Sequence, residues 1–481
     1  MSVVDSDLFP ATFAEVAINR RKTTQKGLNC HLVTFDARPD YEGEIILLEV
    51  GKDEEFHVSD DKHIGSDPAL VVTRHFSSNH VMRWKELKIK SIHMQKILQD
   101  CITGYPGVDM HNDPITFKDS PWCLFFYFDK LEEHGRTLQD PIAVQHLVFL
   151  LRYIDHLFHS AREAYDLVMK QPESTAAMGW ADLWTIFRPG TLVFWETPFG
   201  VPIVSRVENM TKCECSAYCE DCGIWRVTTL NIEFTGNRYE WIRHTIPLGA
   251  YDGSRRLHTL RVFPLKYHLD QTGVFARLVK RGEKFLSLSK MHHMQYSGTA
   301  WIDRLEQRVP CKSRFIIDNA ACARTNPSLI VRYDDALDAG FDITFGNRCH
   351  FRVNPTLQIA QNKGERPTLS DDEVVCCTPS IPGFSLKYKT WTILDVEEIS
   401  EIEFNEYAFD KLLLPEKQKG ILKALVTPNE GKRVYEFEDI ITGKGKGLIF
   451  LLHGVPGTGK TLTAGLWPFS YVSSSLSATM I

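Results

Sequence analysis

"GLIFLLHGVPGTGKT", residues 447–461, decides how this 481-residue chain is read. Gly447–Leu452 is an unbroken apolar run of strand length, the pattern of a strand buried on both faces. Gly454, Gly459, Lys460 and Thr461 follow in the spacing G-x-x-x-x-G-K-[ST]. Such a loop gathers main-chain N–H groups at the start of a helix, where the helix dipole attracts phosphate. Its glycines admit backbone angles that other residues resist and let the chain approach the anion closely. Gly454, Val455, Pro456, Gly457, Thr458, Gly459, Lys460, Thr461 and Leu462 are therefore the candidate nucleotide-binding residues. Lys460 is expected to reach the β- and γ-phosphates, and the Thr461 hydroxyl to ligate Mg²⁺. The competing reading is a glycine-rich turn that happens to contain Lys-Thr, and the apolar run before it argues against that.

"GVPGTGKT" closely resembles the "GPPGTGKT" loop of AAA+ ATPases. The upstream chain resembles a fungal group of these ATPases, in which an uncharacterised N-terminal region precedes the ATPase. The stretches that carry the likeness are "GYPGV" (104–108), "LWTIFRPGTLV" (183–193), "VFPLKYH" (262–268), "RGEKFLSL" (281–288), "PGFSLKYKTW" (382–391), "FDKLLLPEKQKGILKALV" (409–426) and "GKGKGLIFLLHG" (443–454). The resemblance implies an α+β N-terminal region followed by the first strand and P-loop of an α/β P-loop NTPase (AAA+) domain. It also implies ATP and Mg²⁺ as cofactors, hydrolysis that remodels a protein client, and a ring-shaped homo-oligomer.

Hydrolysis in that family needs four apolar residues followed by Asp-Glu, a sensor residue and an arginine finger, all after the P-loop. None occurs in 462–481. "LFFYFDK" (124–130) imitates the acidic motif, but Lys130 stands where the glutamate belongs and the stretch precedes the loop. The tail "GLWPFSYVSSSLSATMI" (465–481) has no charged residue. At the usual charged fraction of about 25%, such a run has a chance of about 1%. Pro468 would also break a helix soon after its start. The expectation is that the family sequence stops after Ala464, leaving the ATPase domain incomplete, with no hydrolysis and weak ATP binding. The alternative is a non-enzymatic N-terminal module that binds a partner or client.

Composition sets the outer bounds. Hydrophobic residues at 43% and charged residues at 24% are ordinary globular values. A formal charge of -6 argues against a broad nucleic-acid-binding surface and leaves local basic patches open. Twelve cysteines are too sparse for a disulfide scaffold and suit reduced thiols in an intracellular protein. The N-terminus lacks the pattern of a secretory signal. "IAVQHLVFLLRYIDHLF" (142–158) is broken by His146, Arg152, Asp155 and His156, so no membrane segment is expected.

Five segments follow. Residues 1–80 read as polar and loosely ordered, with an acidic loop at 51–67. Residues 81–330 read as one α+β unit. "WKELKIKSIHMQKILQDCI" has helical spacing and ends at "GYPG". Leu147, Leu150, Leu151, Ile154, Leu157, Phe158, Ala161, Tyr165 and Val168 form one core-facing helical stripe. "WADLWTIF" (180–187) is a short helix, and "TLVFW" (191–195) a strand. Alternation at Leu230, Ile232 and Phe234 before "TGN" predicts a hairpin into "RYEWI". In "LRVFPLKYH" (260–268), Pro264 marks an edge strand or a break, and 270–288 returns to helix. Residues 331–395 are read as a linker, 396–464 as the opening of the ATPase domain, with a helix over 409–426, and 465–481 as an aberrant tail.

"CECSAYCEDC" places Cys213, Cys215, Cys219 and Cys222 within ten residues. Four thiolates suit a structural Zn²⁺, and Cys219 and Cys222 have a common chelating spacing. One short loop would have to wrap the ion alone, so a reduced cysteine-rich turn between strands stays open. His292 and His293 lack a partner motif and read as ordinary histidines. Trp180, Trp184 and Phe187 read as core.

Overall fold

The computed structural model describes residues 27, 29–39, 44–50, 67–197, 199–212, 224–236, 238–302, 307–326, 329, 357–359, 367–403, 415–426 and 453. Its contacts divide the chain into two units. The first takes 1–231, 243–275 and 344–354, and the second takes 232–242, 276–343 and 355–481.

The first unit begins with a five-stranded sheet ordered β2-β1-β3-β4-β5. Its strands are β1 (Asn29–Pro39), β2 (Ile45–Glu49), β3 (Pro68–Phe76), β4 (Met82–Ile89) and β5 (Ile115–Lys118). β1 and β3 run parallel, while the other neighbours are antiparallel. Three of these strands therefore lie inside the segment read as loosely ordered. Ala37, Ala69, Leu70 and Val71 are buried. The stretch read as one helix from Trp84 onward is a strand and then a helix. Leu87 and Ile89 alternate inward at the end of β4, and Ser91 caps helix α1 (Ile92–Cys101), its Oγ accepting the Met94 N–H.

Helices α2 (Trp122–Phe126), α3 (Phe128–Gly135) and α4 (Pro141–Met169) complete this part. Asp140 caps α4 through the Ile142 N–H, and Pro141 occupies its first turn, where no N–H is needed. Leu147, Leu150, Leu151, Ile154, Phe158 and Val168 are buried, as their spacing predicts. Leu157 faces outward at 42% exposure, and the helix bends where Phe158 leaves helical angles. The "LFFYFDK" stretch is helical, and Lys130 donates to the Cys101 carbonyl at 2.7 Å.

A second sheet holds β7 (Leu192–Glu196), β8 (Pro202–Lys212), β9 (Trp225–Phe234), β10 (Tyr239–Leu248) and, at one edge, β12 (Val262–Pro264) beside β7. The predicted hairpin is β9–β10, and the edge position of β12 is what Pro264 permits. β6 (Ala177–Gly179) and β11 (Ser254–Arg256) pair separately. "WADLWTI" forms a 3-10 turn, burying Trp184 and Phe187 and leaving Trp180 half-buried. Inside the sheet a polar chain is fully spent. Trp195 Nε1 donates to Ser205 Oγ (2.8 Å), which donates to Asn231 Oδ1 (2.6 Å), while Asn231 Nδ2 donates to the Val204 carbonyl (3.0 Å). Burial of these groups is tolerable because each finds a partner.

In the second unit, β13 (His292–Ile302), β14 (Gln307–Ile317), β16 (Ser380–Ser385) and β17 (Thr390–Asp395) close into a small four-strand barrel, because β13 pairs with both β14 and β17. β15 (Leu357–Gln358) pairs with the start of β10, and β18 (Ile399–Ser400) with β13. Tyr296, Ala300, Phe315, Ile317, Ile381 and Leu394 are fully buried, each supplied by a barrel strand. Helix α5 (Gln271–Ser287) buries Leu278, Gly282, Phe285 and Leu286 on one stripe. The remaining helices are α6 (Asn319–Thr325), α7 (Asp371–Val374) and α8 (Glu416–Val426). Strands β16 and β17 fall within the segment read as a linker, and the division between units cuts α5 inside the stretch read as one unit. Among the described residues, no helix is long and apolar enough to cross a membrane.

Candidate functional site

Of the nucleotide-site stretch, only His453, immediately before the loop, lies within the described residues, and it is exposed. Gly454, Val455, Pro456, Gly457, Thr458, Gly459, Lys460, Thr461 and Leu462 lie outside them, as do Cys213, Cys215, Cys219 and Cys222. Among the described residues no group of three or more His, Cys, Asp or Glu is placed to hold a metal ion.

What the structure does build is a cleft of about 470 Å³ in the first unit. Its floor starts from the short β7–β12 pairing, in which Phe263 sits directly opposite Phe194. Their ring centroids are 5.5 Å apart, and both side chains are buried. A cross-strand aromatic pair of this kind contributes about 0.5–1.5 kcal/mol beyond its burial. The chain then turns through Leu265–Tyr267 and brings the His268 ring to 4.6 Å from Phe194 and nearly parallel to Phe263. The "VFPLKYH" stretch is thus a structural device: a three-residue edge strand, a proline that ends it, and a histidine delivered onto the aromatic floor.

The His268 ring is oriented by its neighbour. Asp270 donates its backbone N–H to Nδ1 at 3.0 Å, so in the neutral ring the proton sits on Nε2. On another wall, His258 stands in the 3-10 turn Leu257–Thr259, and its buried Nδ1 has no hydrogen-bond partner among the described residues. Leu260 and Leu269 add apolar surface, while Glu196 and Arg261 place opposite charges at the exposed rim. Next to His268 in the chain, burial lowers the Lys266 ammonium's pKa and raises that of the Tyr267 phenol.

This arrangement can hold a flat or branched apolar group against its aromatic floor, beneath a mixed-charge rim. Thr197 adds a hydroxyl to the lining. Elsewhere in this unit the Cys123 thiol is buried, and burial raises its pKa, which makes it a poor nucleophile. Ser91 Oγ lies 2.8 Å from His146 Nδ1, yet both residues are buried and Ser91 serves as a helix cap. His292 and His293 begin β13 and are half-buried, and among the described residues no carboxylate or thiol cluster gathers around them to hold a metal.

Sequence reasoning saw "TLVFW" as a strand and "VFPLKYH" as a strand broken by proline, but missed that the two pair to make a cleft. His258 carries no local signal at all. Residues 169–269 match the family described as a domain of unknown function, DUF7025, and every residue that lines the cleft falls inside that match. No curated protein and no solved structure matches the chain.

Proposed function

We propose that this chain binds ATP with Mg²⁺ through Gly454–Leu462, as an AAA+-type P-loop protein. One observation supports the reading above all: the apolar run Gly447–Leu452 leads directly into G-x-x-x-x-G-K-T. A strand feeding a phosphate loop is the context that gives the motif its chemistry. Lys460 would supply the cation for the β- and γ-phosphates and Thr461 the Mg²⁺ ligand. The proposal for these residues is nucleotide binding, which the motif itself supports. Ring assembly and a protein client belong to the same proposal, as does a structural Zn²⁺ at Cys213, Cys215, Cys219 and Cys222. A photoreactive ATP analogue should label peptides that contain 454–462, and Lys460→Ala should remove the label. Labelling confined to other segments would count against the reading.

The cleft within residues 169–269 favours a second reading, in which the chain acts as a partner-binding module. Its aromatic floor of Phe194, Phe263 and His268 suits recognition of an apolar group. Small aromatic and branched aliphatic fragments should shift the imidazole NMR signals of His258 and His268 together. Fragments that leave both signals in place would remove the support for this reading.

A further inference from the structure

The cleft in the first unit has a rim as ordered as its floor. Strand β12 pairs with β7 in the register Val262↔Trp195, Phe263↔Phe194 and Pro264↔Val193. Side chains alternate along a strand, so Glu196 shares the face of Phe194, and Arg261, just ahead of β12, shares the face of Phe263. All four line the cleft, while Trp195 and Val262 turn to the opposite face and do not. One further step of the register brings Arg261 opposite Glu196.

Opposite positions of an antiparallel pair lie about 5 Å apart at Cβ. Glu196 and Arg261 are both exposed, yet they do not close an ion pair. Among the described residues, the Glu196 carboxylate has no ion-pair or hydrogen-bond partner. Arg261 is engaged elsewhere in the chain, and a guanidinium with five N–H donors keeps others to offer.

Two residues along a strand rise about 7 Å, so the charged positions stand about that far from the Phe194–Phe263 pair. A ring laid on the floor, against the half-buried His268 ring, can therefore carry charged groups to the rim on a short linker. Electrostatics decides which groups these are. A lone ammonium would meet Glu196 favourably and Arg261 unfavourably, and a lone carboxylate the reverse. A zwitterion complements both.

We infer that the cleft takes a free α-amino acid with an aromatic side chain. Its ring would lie on Phe194, Phe263 and His268, its ammonium at Glu196 and its carboxylate at Arg261. A residue inside a peptide carries neither charge beside its ring, and a chain end carries only one. The volume of about 470 Å³ leaves room for such a molecule. This ligand class presupposes the reading of the cleft as a binding site, and is independent of the nucleotide site.

The full chain is titrated calorimetrically with L-phenylalanine, phenethylamine, hydrocinnamate and the uncharged phenethyl alcohol. L-phenylalanine should bind about fivefold tighter than each of the others and shift the His268 imidazole NMR signals. Glu196→Gln should weaken L-phenylalanine about fivefold while tightening hydrocinnamate, because the repulsion of its carboxylate is gone. Arg261→Gln should likewise weaken L-phenylalanine and tighten phenethylamine. A merely structural role for either residue would move all four ligands the same way. L-phenylalanine binding no tighter than phenethyl alcohol, or affinities unchanged in both variants, would overturn the assignment while leaving an aromatic-binding cleft. Binding that leaves the His268 signals in place would overturn it as well. No binding by any of the four would remove the cleft reading itself, and the ligand with it.

Discussion

Gly282 stands in the middle of α5, where glycine is normally a defect, and replacing it should make matters worse. A methyl group there would lie 2.1 Å from the Val374 carbonyl oxygen and 2.8 Å from Val374 Cγ1. Glycine to alanine in a helix interior ordinarily gains about 1 kcal/mol from reduced backbone entropy. Overpacking a closed site costs about 1–3 kcal/mol, and an approach this close to a backbone atom belongs at the upper end of that range. The two terms leave Gly282→Ala less stable by about 2 kcal/mol. Gly420 supplies the contrast, since it lies in α8 with nothing within 4 Å of the added carbon. Gly420→Ala keeps the propensity gain and should stabilise its helix by up to about 1 kcal/mol. Amide hydrogen exchange, read peptide by peptide, separates the two because it reports local opening. Exchange in α5 should speed up about thirtyfold in Gly282→Ala, and exchange in α8 should slow in Gly420→Ala. Slower exchange in α5 of Gly282→Ala would refute the reasoning, because it would mean that Val374 yields without cost.

Ser91→Ala removes the cap of α1 and the buried partner of His146 together, and should lower stability by about 1–3 kcal/mol in urea unfolding. Burial, and then the charge of Arg314, hold the His293 imidazole below its usual pKa of 6.5, so the unfolded chain takes that proton more readily. Stability is therefore full above that value and falls as pH drops through it, and His293→Gln should flatten this slope in urea midpoints measured across the range. The Arg277 guanidinium, bonded to Glu397 at 2.9 and 2.7 Å, holds that carboxyl below its usual value of 4.5. The stabilisation is present above the usual value and lost as pH falls below it. Arg277 is 56% exposed, so Arg277→Ala should cost no more than about 1 kcal/mol near neutral pH and nothing in acid.

Local signals carried well wherever the partner was near in sequence. The stripe on α4, the β9–β10 hairpin and the edge character of β12 all rest on periodicity or on a proline, and the structure contains each. Non-local pairing was not legible. β1 and β3 lie parallel across an intervening acidic stretch, and nothing in "LVTFDA" or "ALVVTR" names the other as its neighbour. The barrel strands β16 and β17 lie in the segment read as a linker, where Pro379, Pro382 and Gly383 are residue types that usually mark a boundary. Pro382 sits within β16, however, and Gly383 packs there against Leu394, whose Cδ1 would lie 2.5 Å from an added carbon and would have to shift. At Ser91 the signal was present: a capping residue divided a period-two run from a period-four run, and merging them hid the end of β4. The cleft followed the same rule, since Phe194 and Phe263 meet only through a pairing between distant strands. Residues 454–461 are the reverse case, since the proposal of a phosphate loop there rests on residue types at fixed spacing and needs no distant pairing.

Calorimetric titration of this chain with Mg²⁺-ATP, beside Lys460→Ala, tests the nucleotide reading most directly. The expected result is saturable binding that depends on Mg²⁺ and disappears in Lys460→Ala. Binding of equal strength in Lys460→Ala, or none by the wild-type chain at millimolar ATP, would contradict it.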